Sequence, residues 1–313
     1  MITKAKLAPY LLPFCLFLLL IACNPSDHSG TTTKFSGKVV NALDVMSEII
    51  ASDTMFLLDH TEEDAIELVT NAITREGEYE FVHDRKSMFI YLKPGTSLKL
   101  ETDYNLFYRS MKFEGETAPH NRYLLRKHLL EQNYPEEKEL YFLPVSEFMK
   151  RAEEQRVAKL ELLQSMKDSI NDEAFFMTTR GNLEYEWANQ LMNYDHMHKL
   201  LTVNQEMPPT DSLDAVLDAI PLEKPELLES YRYINFVFNK ITKQVNQQLA
   251  TKTFPAYMVD YEMLKASLAL TNSRISNTQV QDRMEKEFLN HYLNFISTEQ
   301  RDELTGKYGI VTD

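Results

Sequence analysis

The sequence predicts an α+β fold in which an N-terminal antiparallel β-sandwich is followed by an all-α helical domain. Three observations lead to this prediction. Short segments of alternating apolar and polar residues fill the chain from residue 34 to residue 118. From residue 119 to residue 313, apolar residues recur every three or four positions, as in amphipathic helices. The 313 residues are enough for two domains, whereas eight glycines are few for a nucleotide-binding architecture.

The first 22 residues have the layout of an export signal. Lys4 and Lys6 precede an apolar run over residues 7–21, and the small residue Ala22 stands before Cys23. The run is shorter than the ~20 apolar residues of a membrane-spanning helix, and its prolines would break such a helix. We therefore expect residues 1–22 to be a signal peptide.

The segment Leu20-Ile21-Ala22-Cys23 resembles the bacterial lipobox. This resemblance implies diacylglyceryl transfer to the sulfur of Cys23, cleavage before this residue and acylation of the new N-terminus. Two or three acyl chains give a stable membrane anchor, where a single chain binds only marginally. Cys23 is accordingly interpreted as a lipidation site, and the small polar residues 23–33 as a flexible tether. The alternative is an ordinary secretory signal followed by an incidental cysteine.

Cysteine content and charge limit the functions open to the exported chain. The other cysteine, Cys15, lies in the predicted signal, so the mature chain would have neither an internal disulfide nor a free thiol. Loss of Lys4 and Lys6 leaves 31 basic against 47 acidic residues, which changes the formal net charge from −14 to −16. This charge repels polyanions, so we expect no binding to nucleic acid.

Segments of strand length predict the β-sandwich. Leu98 and Leu100 alternate with charged residues, which indicates a strand with one buried and one solvent-exposed face. Gly77, residues 84–86 and the pair Pro94-Gly95 supply turns between segments. The predicted strands are KFSGKVV (34–40), TMFLLDH (54–60), AIELVTNA (65–72), YEFVHD (79–84), SMFIYLK (87–93), SLKLETD (97–103) and FYRSMKFEG (107–115).

Helical spacing begins at Asn121, after Gly115 and Pro119 interrupt the last predicted strand. Pro225, and Ser297 with Gln300 three residues later, are typical of helix N-termini. The most regular apolar stripe comprises Leu227, Tyr231, Ile234, Phe238, Ile241, Val245 and Leu249. A weaker stripe runs from Met149 to Ile170, and two further stripes run from Phe176 through Trp187 to Leu201 and from Met284 to Phe295. Helices with one apolar side pack on each other, so the second half is predicted to be a helical domain.

His196 and His198, beside Asp195, have the spacing most similar to a metal site. Residues two apart on a helix point about 200° away from each other, so the two imidazoles cannot bind one ion. We therefore interpret both histidines as part of a solvated helix end, with no metal role.

Two acidic clusters also have simpler interpretations. Asp211, Asp214 and Asp218 lack the glycine and the spacing of a calcium loop. The first two are typical of a helix start, where carboxylates complement the helix dipole. The segment Glu62-Glu63-Asp64 is most simply a charged hairpin turn.

His83 and Asp84 resemble a base with its orienting acid, but adjacent residues on a strand face opposite ways. Tyr231, Ile234 and Phe238 could line a ligand groove, yet their spacing favours a place in the core.

The sequence contains no phosphate-binding loop and no G-x-S-x-G motif, and no segment combines a nucleophile, a base and an oxyanion site. It therefore predicts no catalytic, cofactor-binding or metal-binding residue.

The layout resembles the membrane-anchored thioredoxin-family lipoproteins (TlpA/ResA-like) of the Bacteroidota. The likeness rests on the lipobox at residues 20–23, on YLKPGTSLKLETD (91–103) and on MKFEGETAPHNRYL (111–124). The last segment is similar to the junction F-x-G-x-G/T-x-x-N-x-Y/F-L, except that three residues, not two, separate Thr117 from Asn121. FFMTTRGNLEYEWANQLMNY (175–194) and PELLESYRYINFVFNKI (225–241) resemble the helical segments that follow in that family.

In that family a C-terminal thioredoxin domain carries a W-C-x-x-C dithiol. This chain stops at LTGKYGIVTD, where the linker to that domain would lie, and its single tryptophan, Trp187, stands in a predicted helix. The resemblance therefore carries no catalytic residue over to this sequence. The thioredoxin part was lost, is encoded as a separate chain, or is missing because this chain is a fragment.

These observations predict a non-enzymatic, lipid-anchored cell-envelope protein with a binding or scaffolding role. The alternative is the accessory half of a periplasmic thiol–disulfide oxidoreductase, with a thioredoxin-like protein as partner. Asn24 is not the Asp that favours inner-membrane retention in enterobacteria, so we expect the outer membrane. The segment NPSDHSG lacks the run of acids typical of surface export in Bacteroidota, so we expect the protein to face the periplasm, bound to the membrane through acylated Cys23.

Overall fold

The computed structural model of the protein describes residues 31–42, 46–51, 54–62, 64–202 and 210–308. The chain is a mixed α+β protein, with strands in its first third and helices in the rest. The strands are β1 (Thr33–Val40), β2 (Ser47–Ile50), β3 (Met55–Leu57), β4 (Asp59–Glu62), β5 (Ala65–Thr70), β6 (Gly77–His83), β7 (Lys86–Leu92), β8 (Ser97–Asp103) and β9 (Lys112–Gly115). The helices are α1 (Phe107–Ser110), α2 (Ala118–Glu131), α3 (Glu137–Leu140), α4 (Val145–Ser165), α5 (Lys167–Ile170), α6 (Glu173–Leu201), α7 (Asp211–Ala219), α8 (Tyr231–Leu249), α9 (Val259–Arg274), α10 (Thr278–Tyr292) and α11 (Thr298–Tyr308).

The strands form two sheets. The five-stranded sheet has the order β4-β5-β1-β8-β9, and the four-stranded sheet has the order β3-β2-β6-β7. Alternating burial along β1 and β8 sets the inward face of the first sheet, where Leu98 and Leu100 are buried as their spacing predicts. Phe35 of β1 meets Phe81 of β6 with ring centroids 5.4 Å apart, so the two sheets share one hydrophobic core.

The prediction that the sheets are purely antiparallel is wrong at one pair. β1 is antiparallel to β5 but parallel to β8, with Phe35 opposite Leu98. Between β1 and β8 the chain passes through the four-stranded sheet, and a parallel pair requires a long crossover of this kind. The remaining described pairs are antiparallel.

The predicted strand 54–60 is two strands in different sheets. β3 belongs to the four-stranded sheet and β4 to the five-stranded sheet, and the buried residue Leu58 lies between them. The short strand β2, with sequence SEII, was not predicted because four residues give too little alternation to recognise.

The predicted strand 107–115 is wrong in its first half, where the structure has the helical turn α1. Thr102 Oγ1 donates to the carbonyl oxygen of Phe107 at 2.6 Å, and the backbone N–H of Asp103 donates to Ser110 Oγ at 2.8 Å. The Asp103 carboxylate also accepts from the backbone N–H of Asn105 at 2.8 Å. These local side-chain bonds turn the chain and compete with a strand.

Two hydrophobic cores divide the molecule. The first contains the inner faces of both sheets together with helical residues such as Tyr123 of α2, Leu163 of α4 and Phe175 of α6. The second lies among the helices from α3 onward, around residues such as Phe148 and Tyr194. The boundary between the two cores therefore falls within α4 and α6.

Side chains cap several helices as their sequence suggests. Ser297 and Gln300 form the predicted capping box at α11: the backbone N–H of Ser297 donates to Gln300 Oε1 at 2.8 Å, and the backbone N–H of Gln300 donates to Ser297 Oγ at 3.3 Å. Pro225 begins a 3-10 turn, Pro225–Leu227, and α8 starts later, where Ser230 Oγ accepts from the N–H of Tyr233. Among the helices in the described ranges, none has both the length and the apolar character needed to cross a membrane.

Asn121 of α2 joins the helices to the edge of the four-stranded sheet. Its Oδ1 accepts from the backbone N–H of Tyr91 at 2.8 Å, and its Nδ2 donates to the Tyr91 carbonyl oxygen at 2.9 Å. Nδ2 also donates to the carbonyl oxygen of Thr117 at 2.8 Å. Asn121 is fully buried, so its amide replaces the neighbouring strand that the edge strand β7 lacks.

Replacing Asn121 with alanine is expected to lower the free energy of unfolding by about 3 kcal/mol, because the buried N–H and C=O of Tyr91 lose their partners. The matched control is Asn133→Ala: Nδ2 of Asn133 donates to the Leu129 carbonyl oxygen at an exposed site, so we expect a change below about 0.5 kcal/mol. Urea denaturation followed by circular dichroism measures both values. Equal losses in the two variants would contradict this role of Asn121.

Gly115→Ala is expected to lower the free energy of unfolding by at least about 2 kcal/mol, because the positive φ strains a residue with a Cβ. Gly115 has φ +105°, and a Cβ there would lie 2.3 Å from the backbone oxygen of Ser97. Gly77→Ala is the control, since a Cβ at Gly77 meets no atom within 4 Å. Thermal melts of both variants test the prediction, and a Gly115→Ala variant as stable as Gly77→Ala would refute it.

Candidate ligand-binding groove

An open groove lies between α6, α7 and the 3-10 turn at residues 225–227. Its volume is about 710 Å³, and most of its lining is apolar. This size lies within the range of about 300–1,000 Å³ that is usual for small-molecule sites. We call it the apolar groove; its lining residues are Met177, Arg180, Gly181, Glu184, Tyr185, Trp187, Ala215, Val216, Ala219, Ile220, Pro221, Lys224, Glu226 and Leu227.

Helical periodicity brings these residues together. On α6, Met177, Gly181 and Glu184 recur every three or four positions and therefore share one face. The same spacing places the small residues Ala215 and Ala219 of α7 on the opposite wall. The groove exists because small side chains leave a gap between two helices that are otherwise in contact.

Gly181 determines the floor of the apolar groove. A Cβ at this position would lie 2.5 Å from Cδ2 of Leu227, so the absence of a side chain allows Leu227 to pack against α6. Glycine within a helix costs about 1 kcal/mol relative to alanine. The position is therefore one where close packing outweighs helix propensity.

The rim of the groove carries one cation without an acidic partner. Glu184 is paired with Arg156 at 2.6 Å, and Lys224 with Glu226 at 3.5 Å. Arg180 is exposed, and no carboxylate among the described residues lies within 4.0 Å of its guanidinium. The groove thus combines an apolar interior with one uncompensated positive charge at its edge.

Trp187 separates the apolar groove from a second cavity of about 480 Å³, which is lined largely by polar and charged residues. The guanidinium of Arg156 lies 4.8 Å from the centre of the Trp187 ring, a distance at which a cation and an aromatic ring attract each other. The Nε1 of Trp187 is buried and has no hydrogen-bond partner within the described part of the chain. Arg156 therefore fixes the indole in the wall between the two cavities.

Below this wall, Glu186 of α6 is the centre of a charge cluster that joins four helices. Its carboxylate lies 2.5 Å from Lys159 of α4, 3.3 Å from Arg232 of α8 and 4.0 Å from Lys127 of α2. Burial alone would raise the pKa of Glu186, but the attraction of Lys127, Lys159 and Arg232 outweighs it, and the pKa is lowered. The cluster therefore fixes α6, which forms one wall of the groove, against α2, α4 and α8.

The predicted separation of His196 and His198 is confirmed, but the prediction that both are solvated is wrong. His196 is exposed, whereas His198 is buried and its Nδ1 donates to the Tyr141 carbonyl oxygen at 2.7 Å. The helix α6 continues to Leu201, so His198 points into the second core instead of the solvent. The described residues contain no group of three or more His, Cys, Asp or Glu side chains placed to hold a metal ion.

The acidic clusters lie where helix and turn chemistry predict. Asp211 and Asp214 occupy the first turn of α7. Asp214 lies 2.7 Å from Lys243, and the exposed Asp218 lies 3.5 Å from the buried Lys240. Asp64 has φ +67° in the turn between β4 and β5, which agrees with a hairpin, while Glu63 lies outside the described residues.

His83 and Asp84 do not act together. His83 is buried at the end of β6 and its Nδ1 hydrogen-bonds with Ser47 Oγ at 2.7 Å. Asp84 is in the turn with φ +54° and accepts a hydrogen bond from the Tyr104 hydroxyl. The two side chains therefore have separate structural partners.

The prediction that Tyr231 belongs to the core is wrong. Tyr231 is 79% exposed, whereas Ile234 is buried and Phe238 packs against the second core. The predicted stripe extended the helical period back to Leu227, but Leu227 lies in the 3-10 turn and α8 begins only at Tyr231. The helical phase of α8 instead buries positions such as Tyr233 and Val237.

The predicted lipidation site, Cys23, lies outside the described residues, as do the signal peptide 1–22 and most of the tether 23–33. The last residue assigned to the tether, Thr33, is the first residue of β1. Sequence reasoning did not find the apolar groove. The signal that pointed to it was Gly181, an isolated glycine within a strong helical pattern, which often marks close packing.

Glu186→Gln is expected to lower the free energy of unfolding by about 2 kcal/mol at neutral pH, because three cations lose their shared anion. Since folding lowers the pKa of Glu186, its contribution is present above the unfolded pKa of about 4.3 and is lost as the pH falls through the folded pKa. Urea denaturation from pH 7 to pH 3 should show the two proteins converging in acid.

Glu154→Gln is the control for this experiment. Glu154 is half exposed and lies 3.5 Å from Arg151 on the surface of α4, so the variant should match the wild type within about 0.5 kcal/mol at every pH. A constant difference between Glu186→Gln and the wild type across the pH range would show that charge at Glu186 is not the cause.

Comparison of the chain with protein-family models, with curated proteins and with solved structures finds no match.

Proposed function

We propose that the protein is a non-enzymatic, lipid-anchored cell-envelope protein that binds an amphipathic small molecule with an apolar tail and an anionic head. The observation that carries this proposal is the apolar groove with Arg180 at its rim. A mostly apolar cleft with a few polar groups that fix orientation is the usual form of a small-molecule site.

The groove interior favours an alkyl or similarly extended tail. Met177, Val216, Ile220 and Leu227 offer aliphatic surface, and Trp187 offers an aromatic edge. Each buried methylene of a ligand contributes about 0.8 kcal/mol through the hydrophobic effect. A tail of several methylenes therefore supplies most of the binding free energy.

The charge at the rim selects the head group. Glu184 and Glu226 each have a cationic partner within 3.5 Å, so their charges are largely compensated. Arg180 has no such acidic partner among the described residues. A guanidinium binds a carboxylate or phosphate through paired hydrogen bonds, so an anionic head is favoured over a cationic one.

The remaining parts of the proposal rest on the sequence. The lipobox at residues 20–23 supports an anchor at Cys23, and Asn24 supports an outer-membrane position facing the periplasm. The absence of a recognisable catalytic motif in the sequence supports a binding role without catalysis. We further infer that the two sheets, which share Phe35 and Phe81 in one core, form the β-sandwich that the strand pattern predicts.

A second candidate is the accessory half of a thiol–disulfide system. The observation that favours it is that the junction residues of the resemblance act as one structural unit: Phe113 and Tyr123 are buried, Gly115 has a positive φ, and Asn121 binds β7. A neighbouring gene for an exported W-C-x-x-C protein that co-purifies with this chain would support the candidate. Neighbouring genes that encode no such domain would contradict this candidate.

Dodecanoate is expected to change the emission of Trp187 in a saturable way, because this residue lines the groove and is the only tryptophan of the sequence. The titration uses the full chain carrying Cys23→Ser, below the micelle concentration. Dodecyltrimethylammonium has the same tail and a cationic head, so it should bind at least about tenfold more weakly. Arg180→Glu should reverse this order.

Ala219→Phe fills the groove and should weaken dodecanoate binding by about tenfold or more. Ala250→Phe is the matched control, since Ala250 is also exposed but lies at the end of α8 and is not part of the groove lining. Saturation that is unchanged in Ala219→Phe, or no response of Trp187 to dodecanoate, would refute the proposed site. Substrate turnover by the purified protein alone would refute the non-enzymatic part.

A further inference from the structure

The outward face of the four-stranded sheet is unusually apolar. Sheets with one face in the core normally present polar residues on the other face. Here Met55 and Leu57 of β3 and Phe89 of β7 point outward and are each more than half exposed. Ile50 of β2 and Val82 of β6 lie between them and are half-buried.

Strand register places these side chains in two continuous rows. One row runs across the sheet through Met55, Ile50, Glu80 and Phe89. The next row runs through Leu57, Glu48, Val82 and Ser87. Adjacent strands are about 4.8 Å apart, so each row spans about 14 Å. We call these two rows, together with Glu78 beside them, the outer face. Contiguous apolar surface of this kind marks an interaction site.

All charged side chains at outward positions of these four strands are acidic. They are Glu48, Glu78 and Glu80, and none has a basic group within 4.0 Å in the part of the chain that the structure describes. Lys86 of β7 has the opposite parity, and its Nζ donates to the Tyr104 carbonyl oxygen on the inner side. The outer face therefore combines apolar side chains with uncompensated negative charge.

The outer face continues into a groove of about 490 Å³ between the sheet and the helices. Phe89 and Glu78 line both surfaces, and the 79%-exposed Tyr231 of α8 stands on the far wall. Glu229 adds another acid to this groove, whereas Glu76 is paired with Lys93 at 2.9 Å. The one cation of the groove lining, Arg232, is paired with Glu186. Tyrosine is among the residues that most often dominate binding energy at protein interfaces.

We propose that the outer face docks a partner protein whose contact surface alternates apolar side chains with Lys or Arg. Apolar contact supplies the affinity, and the three glutamates select basic partners and guide their approach. A second copy of this chain is disfavoured, because two acidic faces would repel each other. An anionic membrane surface is disfavoured for the same reason. This surface is distinct from the apolar groove and goes beyond the proposed function.

The test is fluorescence anisotropy with a labelled ten-residue peptide of alternating leucine and lysine, added to the full chain in lipid nanodiscs. We expect saturable binding that weakens as salt rises, and at least about tenfold weaker binding for the leucine–glutamate and serine–lysine peptides. Phe89→Asp and Glu80→Lys should each weaken binding of the leucine–lysine peptide by about tenfold.

Matched controls lie on the five-stranded sheet, where Val69 is 57% exposed and Glu114 is an exposed carboxylate. Val69→Asp and Glu114→Lys should change the affinity less than about twofold. An equal loss of peptide affinity in the control variants would show that the peptide responds to net charge alone and would overturn the proposal. Peptide binding unaffected by Phe89→Asp would also overturn it. Self-association that Phe89→Asp abolishes would assign the outer face to a second copy instead. Unchanged dodecanoate binding in Phe89→Asp would separate this result from the proposed function.

Discussion

The arrangement of the molecule depends on the pairing of the Asn121 side chain with the backbone of Tyr91. This buried amide closes the edge of the four-stranded sheet and at the same time fixes the first turn of α2. The Tyr91 ring then stacks on His120 of α2, with centroids 4.7 Å apart, and meets Phe175 of α6 edge to face. The strand β7 and the helices α2 and α6 are thus held together at one point. A hydrophobic contact alone would permit sliding, whereas the paired hydrogen bonds allow a single register.

From that point the long helices connect the sheets to the rest of the chain. α6 places Phe175 in the first core and Tyr194 in the second, so both cores depend on the same helix. Between these two residues, Glu186 pairs with Lys127 of α2, Lys159 of α4 and Arg232 of α8. These ion pairs join the three helices to α6. The apolar groove lies on the neighbouring face of α6. Its shape therefore follows from the packing of several helices and not from any single segment.

Local patterns in the sequence predict much of this fold. Alternation in SLKLETD identifies β8, and the Ser297–Gln300 pair identifies the start of α11. The failures share a cause. In each case the structure is decided by residues distant in sequence, or by a local hydrogen bond or chain turn that the apolar pattern does not record. Tyr231 matches the helical period, but α8 begins at that residue and turns it outward. Residues 107–110 match a strand, but Thr102 and Ser110 bind the backbone there.

The candidate sites were beyond sequence reasoning for the same reason. The apolar groove combines residues of α6, α7 and a 3-10 turn up to 50 positions apart, from Met177 to Leu227. The outer face requires strand order and register, and the strand β2 at its centre gives almost no signal of its own. By contrast, the non-ligating geometry of His196 and His198 was predictable, because it depends only on the angle between positions of one helix.

The length of α6 has a mechanical consequence. With 29 residues, the helix extends for about 44 Å, and the groove residues Met177 to Trp187 occupy the section that passes from one core to the other. A molecule seated there would stiffen the longest of the described helices, which contributes to both cores, so binding would alter how fluctuations of the sheets reach the far helices. A ligand bound in the groove would then change the motion of residues in both cores without any change of fold.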